Sequence, residues 1–478
     1  HFIRAAGENL FAGRTSRRPV TDFNSSALNK GVMRAIVRPF IVVVERYYPD
    51  PFVFAIVLTF VVFIMALGLT DAGPIDALAA WGDGLKGLLT FIAQIGLTLI
   101  TAHALAHTDA VGAGLTRLGG LPKRAATAYG LVAFVAGVAA LFAWSMGLVA
   151  GAIIARQVAL QGAERGLRLH YPLLVASAYG GFIVWHMGYS SSAALFVATP
   201  GHALEEILGG IIPVSETIFA PWNIGIALVA LGVVPVVCAL MRPGEQEVIV
   251  LESSAGDFQP EEPATPGPMS PAERIDAQRG LSAALGAALA CYLVYWFWQR
   301  GLDLTLNIVN WSFLCLGLLL ARSPVHYVKL VTGASATVGQ IILQYPLYAG
   351  IMGVMMATGL VEVIAGWFTA IASAQTLGFW AFLSAGVINF FIPSGGGQWA
   401  VQGPIFIEAA QTLGTAPSRI VMAVAYGDQW TNMIQPFWTI PLLAIAGLHM
   451  RQIMGYTFVV LIVTFFIFGG GILLAGAG

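Results

Sequence analysis

Residues 389–404 read NFFIPSGGGQWAVQGP, and the placement of this stretch decides the fold. Pro393, Ser394 and three consecutive glycines, Gly395, Gly396 and Gly397, interrupt a run that is hydrophobic on both sides. In water such a cluster marks a turn. With long apolar flanks the break falls inside a bilayer, where backbone without helix survives only if protein buries it or it lines a polar cavity. The break is a candidate binding site on that ground alone.

Composition supports the placement. Of 478 residues, 58% are hydrophobic and 10% charged, against about a quarter charged in soluble domains; mean hydropathy is +0.80. Many stretches reach the roughly 20 apolar residues that cross hydrocarbon, so the chain reads as an all-α polytopic membrane protein. The net charge of −1 is uninformative, because in membrane proteins the position of charge outweighs its sum. Cys238, Cys291 and Cys315 lie in apolar segments without metal-ligand spacing and read as packing residues. Residues 1–30 carry Arg4, Arg14, Arg17 and Arg18 with no apolar core behind them, so no cleavable signal peptide is read there.

In chain order, residues 28–48 mix arginines with apolar residues as an interfacial helix does, and 1–50 form a cytoplasmic N-terminal segment. Spans are expected at 51–69, 85–107 and 222–241. Between them lie a hairpin over about 127–160, interrupted at 144–147, and a broken helix over 171–200. Residues 242–280, rich in Pro, Glu and Ser, cannot bury a core and read as a flexible cytoplasmic linker. A connecting helix (281–303) precedes spans at 304–321 and 337–359, an amphipathic piece at 361–374, a second hairpin at 378–411, a second broken helix at 418–447 and a last span at 455–476.

The two halves repeat. AlaTyrGly at 178–180 returns 247 residues later at 425–427, and at the same offset residues 144–147 fall on 391–394. Repeats are therefore assigned to 51–241 and 304–478. Lys and Arg concentrate in cytoplasmic loops. Arg117, Lys123 and Arg124 precede the first hairpin, and Arg165 and Arg168 follow it, so it enters and returns on the inside. Loop 201–220 holds Glu205, Glu206 and Glu216 without Lys or Arg and reads as outside. Carried onward, this places the second hairpin's entry on the opposite face. The expected architecture is two inverted-topology repeats, each with a re-entrant hairpin and a broken helix. About nine full crossings result, with the N-terminus cytoplasmic and the C-terminus periplasmic, as in secondary transporters.

Two broken tips meeting near the midplane present unpaired N–H groups suited to a carboxylate. The candidate substrate-binding residues are Trp144, Ser145 and Gly147 in the first tip, and Pro393, Ser394, Gly395, Gly396, Gly397 and Gln398 in the second. Ser190, Ser191, Gln429 and Asn432 join them from the polar middles of the broken helices. Asp428, a carboxylate at membrane depth, and His186, an imidazole in a polar helix break, are the candidate coupling residues. The bland alternatives are tight hairpin packing for the glycines and helix–helix hydrogen bonding for the polar groups. There is no GxxxxGK[ST] for ATP, no HExxH, no GxSxG elbow and no basic stripe for nucleic acid.

Four motifs bring in a family. PDPFVFA at 49–55, AAWGDG at 79–84, INFFIPSGGGQWAVQGP at 388–404 and AYGDQWTNMIQPFW at 425–438 resemble the AtoE-type short-chain fatty acid transporters, over the chain from about residue 40 to its end. The resemblance implies uptake of acetoacetate- or butyrate-like monocarboxylates across a bacterial inner membrane. It also implies membership of the wider ion-transporter superfamily, with a homodimer, a scaffold and an elevator-like transport part. The superfamily's Ser-Asn-Thr tips are absent, so its sodium sites do not carry over; the metal is unknown and no cofactor is expected beyond H+ or Na+ as coupling ion. His186 and Met187 stand where the family is glycine-rich, and Ala143 where Asn is expected. The alternatives are a carrier of di- or tricarboxylates, a non-transporting receptor, for which only the linker could serve as output, and a membrane hydrolase, for which neither serine has a base.

Overall fold

The computed structural model describes residues 46–202, 204–251, 270–301 and 305–476. The interfacial helix expected at 28–48 lies outside them except for its last residues, as does the middle of the linker, 252–269. Among the described residues every regular element is a helix, and eight segments are long and apolar enough to cross a membrane.

The first half runs α1 (Pro51–Leu69), α2 (Pro74–Gly84), α3 (Leu89–Ala106), α4 (Asp109–Gly119), α5 (Ala125–Phe142), α6 (Trp144–Glu164), α7 (Tyr171–Phe182), α8 (Ser192–Ala198), α9 (Glu205–Leu208) and α10 (Pro221–Leu240). Helices α11 (Pro271–Asp276) and α12 (Arg279–Arg300) connect it to the second half. There follow α13 (Leu306–Leu320), α14 (Pro324–Ala334), α15 (Gly339–Ala357), α16 (Leu360–Thr369), α17 (Leu377–Asn389), α18 (Gly395–Leu413), α19 (Pro417–Thr431), α20 (Thr439–Ala446) and α21 (Met450–Gly476). Apart from the short α9, the succession of long and short helices in the first half recurs in the second. Pro51, Pro74, Pro221, Pro324 and Pro417 each stand at a first helical position, where the missing N–H is no loss.

Three short helices occupy stretches read from sequence as loops: α2 within 70–84, α4 within 108–126 and α14 between 321 and 337. Each is too short to span, so its hydrophobicity was masked by the polar turns beside it. The breaks also move. The first hairpin is interrupted by Ala143 alone, extended at φ −150°, ψ 127°, and residues 144–147 already belong to α6. The second interruption covers 390–394; Gly395, Gly396 and Gly397 form the first turn of α18. First-turn amides have no intrahelical acceptor in any case, so three glycines are tolerated there at little loss.

Packing between the halves is reciprocal. Helices α1 and α2, which open the first half, pack on α15, the third element of the second; α13 and α14, which open the second, pack on α3, the third of the first. Likewise α8 packs against α18 and α19, while its counterpart α20 packs on α6. On α3 and α13 the contact is polar: Thr98 Oγ1 meets Asn310 Oδ1 at 2.5 Å, and Asn310 Nδ2 donates to the Gln94 carbonyl at 2.9 Å. Inside each half the hairpin's first arm lies against the broken helix with backbone in contact. A Cβ on Gly181 would stand 2.1 Å from the Ala133 carbonyl oxygen, and one on Gly427 2.1 Å from that of Phe382. These are positions for glycine and nothing larger.

A network at the start of α7 ties three distant segments. The His170 amide donates to Tyr129 Oη at 2.9 Å, His170 Nδ1 accepts from the Ile249 amide at 3.0 Å, and Nε2 lies 3.0 Å from Tyr456 Oη. Because Nδ1 accepts, the imidazole is neutral with its proton on Nε2. Burial pushes its pKa down to about 4, against a smaller upward pull from Glu247. In the unfolded chain the value is about 6.5, so between those two values the unfolded state binds more protons. The stability contributed by neutral His170 is complete above the upper value and is lost as pH falls through the window. The melting temperature of detergent-solubilised protein is expected to drop between pH 6.5 and 4, and His170→Gln to flatten that drop while lowering the neutral-pH value.

Candidate functional site

The two interrupted tips and the two broken helices converge on a cavity of about 140 Å³. It is lined by Ser192, Pro393, Ser394, Gly395 and Gly396, and by an aromatic wall of Phe91, Trp144, Trp185, Phe437 and Trp438 with Leu88. Phe91 is the hub of that wall, with ring centroids 5.9 Å from Trp144, 6.0 Å from Trp438 and 6.2 Å from Phe437. An apolar cavity of about 150 Å³ accepts a benzene-sized molecule, which sets the scale of ligand. No lysine or arginine lines it.

The polar end of the cavity is the start of α18. Gln398 is the first residue of that helix whose amide finds a backbone acceptor, the Ser394 carbonyl at 2.7 Å. The amides of Gly395 and Gly396 find none among the described residues, and both residues face the cavity. A helix N-terminus presenting free N–H groups in a water-poor site attracts an anion. The first hairpin differs here: the Trp144 amide at the start of α6 donates to Ser190 Oγ at 2.9 Å. One tip is capped from within and the other is open.

Behind the open tip lies a buried pair. His186 Nδ1 is 2.9 Å from Asp428 Oδ2, with both side chains 1% exposed. The approach is close, and among the described residues no other group lies within hydrogen-bond reach of either carboxylate oxygen. His186 Nε2 accepts from the Ala193 amide at 3.2 Å, which leaves Nδ1, the nitrogen facing Asp428, as the carrier of the imidazole proton. The His186 amide donates to Gln429 Oε1 at 2.9 Å, and the ring stacks on Trp185 with centroids 4.1 Å apart. The pair thus joins both broken helices and touches the second tip, since a Cβ on Gly395 would meet His186 Cε1 at 2.5 Å.

Carbonyls released by the breaks are taken up by side chains. Tyr179 Oη donates to the Asn432 carbonyl at 2.8 Å, Thr457 Oγ1 to Met433 at 2.6 Å, Tyr345 Oη to Phe437 at 3.2 Å and Asn223 Nδ2 to Met187 at 3.0 Å. Irregular backbone at membrane depth is held this way.

Of the substrate-binding residues expected from sequence, Trp144, Pro393, Ser394, Gly395 and Gly396 line the cavity; Ser145, Gly147, Ser190, Ser191, Gly397, Gln398, Gln429 and Asn432 do not. Gly147 lets the first hairpin close, its Cβ position lying 2.5 Å from Ala140 Cβ. Gln398 is tied between the arms of the second hairpin, donating to the Ala385 carbonyl and to Gln402 Oε1. Asn432 Oδ1 accepts from Asn389 Nδ2. The lining residues not assigned from sequence are Leu88, Phe91, Trp185, Ser192, Phe437 and Trp438. Trp185 and Ser192 belong to the polar middle of the first broken helix, and Phe437 and Trp438 follow that of the second; Leu88 immediately precedes α3 and Phe91 lies in its first turn.

The family model described as short chain fatty acid transporter matches residues 32–475. The chain is 40% identical over 437 residues to an Escherichia coli K12 protein named "Putative short-chain fatty acid transporter", covering 91% of this chain and 96% of that one. A Haemophilus influenzae protein of the same name is 38% identical over 435 residues, covering 88% and 95%. Among solved structures, the Neisseria gonorrhoeae MtrF, from a report on a class of antimetabolite efflux pumps, matches with TM-score 0.41 and 16% identity, covering 92% of this chain and 97% of that one. The Alcanivorax borkumensis YdaH transporter matches with TM-score 0.41 and 15% identity, covering 90% and 98%.

The two cavity glycines should respond differently to a methyl group. A Cβ on Gly396 meets Ser192 Cβ at an ordinary 3.6 Å, whereas one on Gly395 drives into the His186–Trp185 stack. Gly395→Ala is expected to cost about 1–3 kcal/mol as overpacking and to lower the melting temperature in detergent. Gly396→Ala should melt like the parent.

Proposed function

The chain belongs to the short-chain fatty acid transporter family, and on that premise we propose that it is a secondary active carrier of acetoacetate- and butyrate-like monocarboxylates, driven by protons. The observation that carries the substrate reading is the cavity. Its volume of about 140 Å³ suits a carboxylate of about six or seven non-hydrogen atoms. Its polar end offers the free amides of Gly395 and Gly396 with the Ser394 hydroxyl beside them, and its wall is aromatic. A short acyl tail lies on the aromatic side and the carboxylate on the start of α18. A tricarboxylate would outgrow this space and would lack a cation for its further charges.

The proton site is the Asp428–His186 pair. With His186 neutral, an ionised Asp428 would be a net buried negative charge next to an incoming anion. Uptake of a proton by Asp428 removes that charge, and the contact of His186 with Gly395 supports a link from that carboxyl to the proposed anion-binding amides. Substrate and proton therefore bind together, which is what symport requires.

For the alternating step we read the hairpins as re-entrant and the two halves as inverted repeats. The charged loops flanking them, the recurring helix order and the reciprocal packing support this, and an elevator-like movement of the hairpin bundle against the α1–α3 and α13–α15 elements follows. The setting is a bacterial inner membrane with the N-terminus cytoplasmic and the C-terminus periplasmic, the unit a homodimer.

In proteoliposomes, labelled butyrate or acetoacetate should enter saturably under an inward proton gradient, and succinate and citrate should not compete. Movement of di- or tricarboxylates without butyrate uptake would overturn the substrate reading. Asp428→Asn is expected to abolish gradient-driven accumulation by at least tenfold and to leave butyrate–butyrate exchange within about threefold of the parent, the signature of a lost coupling site. Accumulation that follows a sodium gradient and ignores pH would transfer the coupling to Na+.

A further inference from the structure

Two tryptophans of the cavity wall hold donors that no described residue satisfies. Trp185 and Trp438 are 1% and 4% exposed, and the indole Nε1–H of each lacks a hydrogen-bond partner. Their ring centroids are 5.7 Å apart with planes inclined at 49°, so they are adjoining walls of one small space. An indole nitrogen donates and cannot accept. Leaving such a donor buried and unpaired costs about 1–3 kcal/mol, and a wholly apolar ring such as Phe would fill either place without that loss.

The same orphaned state occurs at Trp81 and Trp399, but neither lines the cavity. What distinguishes Trp185 and Trp438 is convergence. Two tryptophans with unpaired indole donors and two glycines with unpaired amides, Gly395 and Gly396, line a single cavity, and no cavity-lining side chain among the described residues holds an unpaired buried acceptor. The chemical complement of such a wall is a group rich in acceptors and free of donors. A carboxylate has about four lone-pair sites and no proton.

We propose that Trp185 and Trp438 are substrate-binding residues whose indole N–H groups donate to the carboxylate oxygens of the transported anion, completing with the α18 amides an anion site built from neutral donors alone. This rests on the reading of the substrate as a short-chain monocarboxylate. It also supplies a ground for charge selectivity: neutral donors hold a single negative charge by hydrogen bonding, and a dianion leaves its second charge without a counter-charge in a dry site. The indoles act doubly, since the same rings form the apolar wall along which the acyl tail lies.

The test uses the full-length protein, with [15N-indole]tryptophan labelling in detergent and uptake in proteoliposomes. Adding butyrate to the parent is expected to move two indole N–H resonances downfield, one missing from Trp185→Phe and the other from Trp438→Phe. Each variant should raise the KM for butyrate about tenfold, as expected for a lost hydrogen bond to a charged group, with Vmax within about threefold. Trp81→Phe should leave KM unchanged. If the parent takes up butyrate saturably and no indole resonance moves, or if both variants keep the parental KM, the donor assignment is overturned while the substrate reading stands. If the parent neither binds nor transports butyrate, the substrate reading fails and the assignment with it. The resonance shifts are read on the parent, so poor folding of a variant does not blunt the test.

Discussion

Everything in this protein depends on how polar backbone is accommodated where the bilayer offers no water. Four interruptions, two in hairpins and two in broken helices, release amides and carbonyls that must be satisfied by the protein or by what it carries. Four of the carbonyls are answered by side chains, those of Met187, Asn432, Met433 and Phe437. Hydroxyls of Tyr179, Tyr345 and Thr457 and the amide of Asn223 reach in from neighbouring elements. At the first hairpin the leading amide is answered by Ser190. At the start of α18 the amides of two cavity-lining glycines have no partner among the described residues. The difference between a scaffold break and a binding break here is which groups are left unanswered.

The site's economy of charge follows from the same constraint. A lysine or arginine at this depth would itself need a partner whenever the cavity was empty. Free amides at a helix start hold an anion with partial charge only and carry a smaller desolvation cost between turnovers. The carboxyl group behind the site, that of Asp428, faces an imidazole whose Nε2 accepts from the Ala193 amide. His186 also bears on Gly395 and stacks on Trp185, so a change at the carboxylate reaches the cavity through a single residue.

Most of the architecture was legible in the sequence, because a long apolar run with a Pro-Ser-Gly interruption has few physical outcomes in a bilayer. The helices that fill the expected ranges begin and end within a few residues of them. The short helices α2, α4 and α14 were not legible: each is brief, semi-polar and supported by tertiary contacts that no local pattern announces. The site divided in the same way. Pro393, Ser394 and the first two glycines declared themselves through chain chemistry, and Trp144 through its place at a tip. Phe91 and Leu88 did not, since an aromatic or leucine in an apolar helix is ordinary lipid- or core-facing material until the fold turns it inward. Gln398, Asn432 and Gln429 illustrate the converse, polar groups absorbed by one another in helix packing.

The reciprocal placement of α1 and α2 on α15, and of α13 and α14 on α3, bears on biogenesis. Neither half closes its own scaffold. The first half leaves the ribosome with α1, α2 and α3 lacking the faces they will finally cover, and these surfaces wait in the lipid for partners some 250 residues downstream in the chain. Contacts of such sequence separation form late, and N-terminal segments emerge first. A half-synthesised chain is therefore an assembly intermediate by construction, and the two halves expressed as separate polypeptides would have the surfaces needed to find one another.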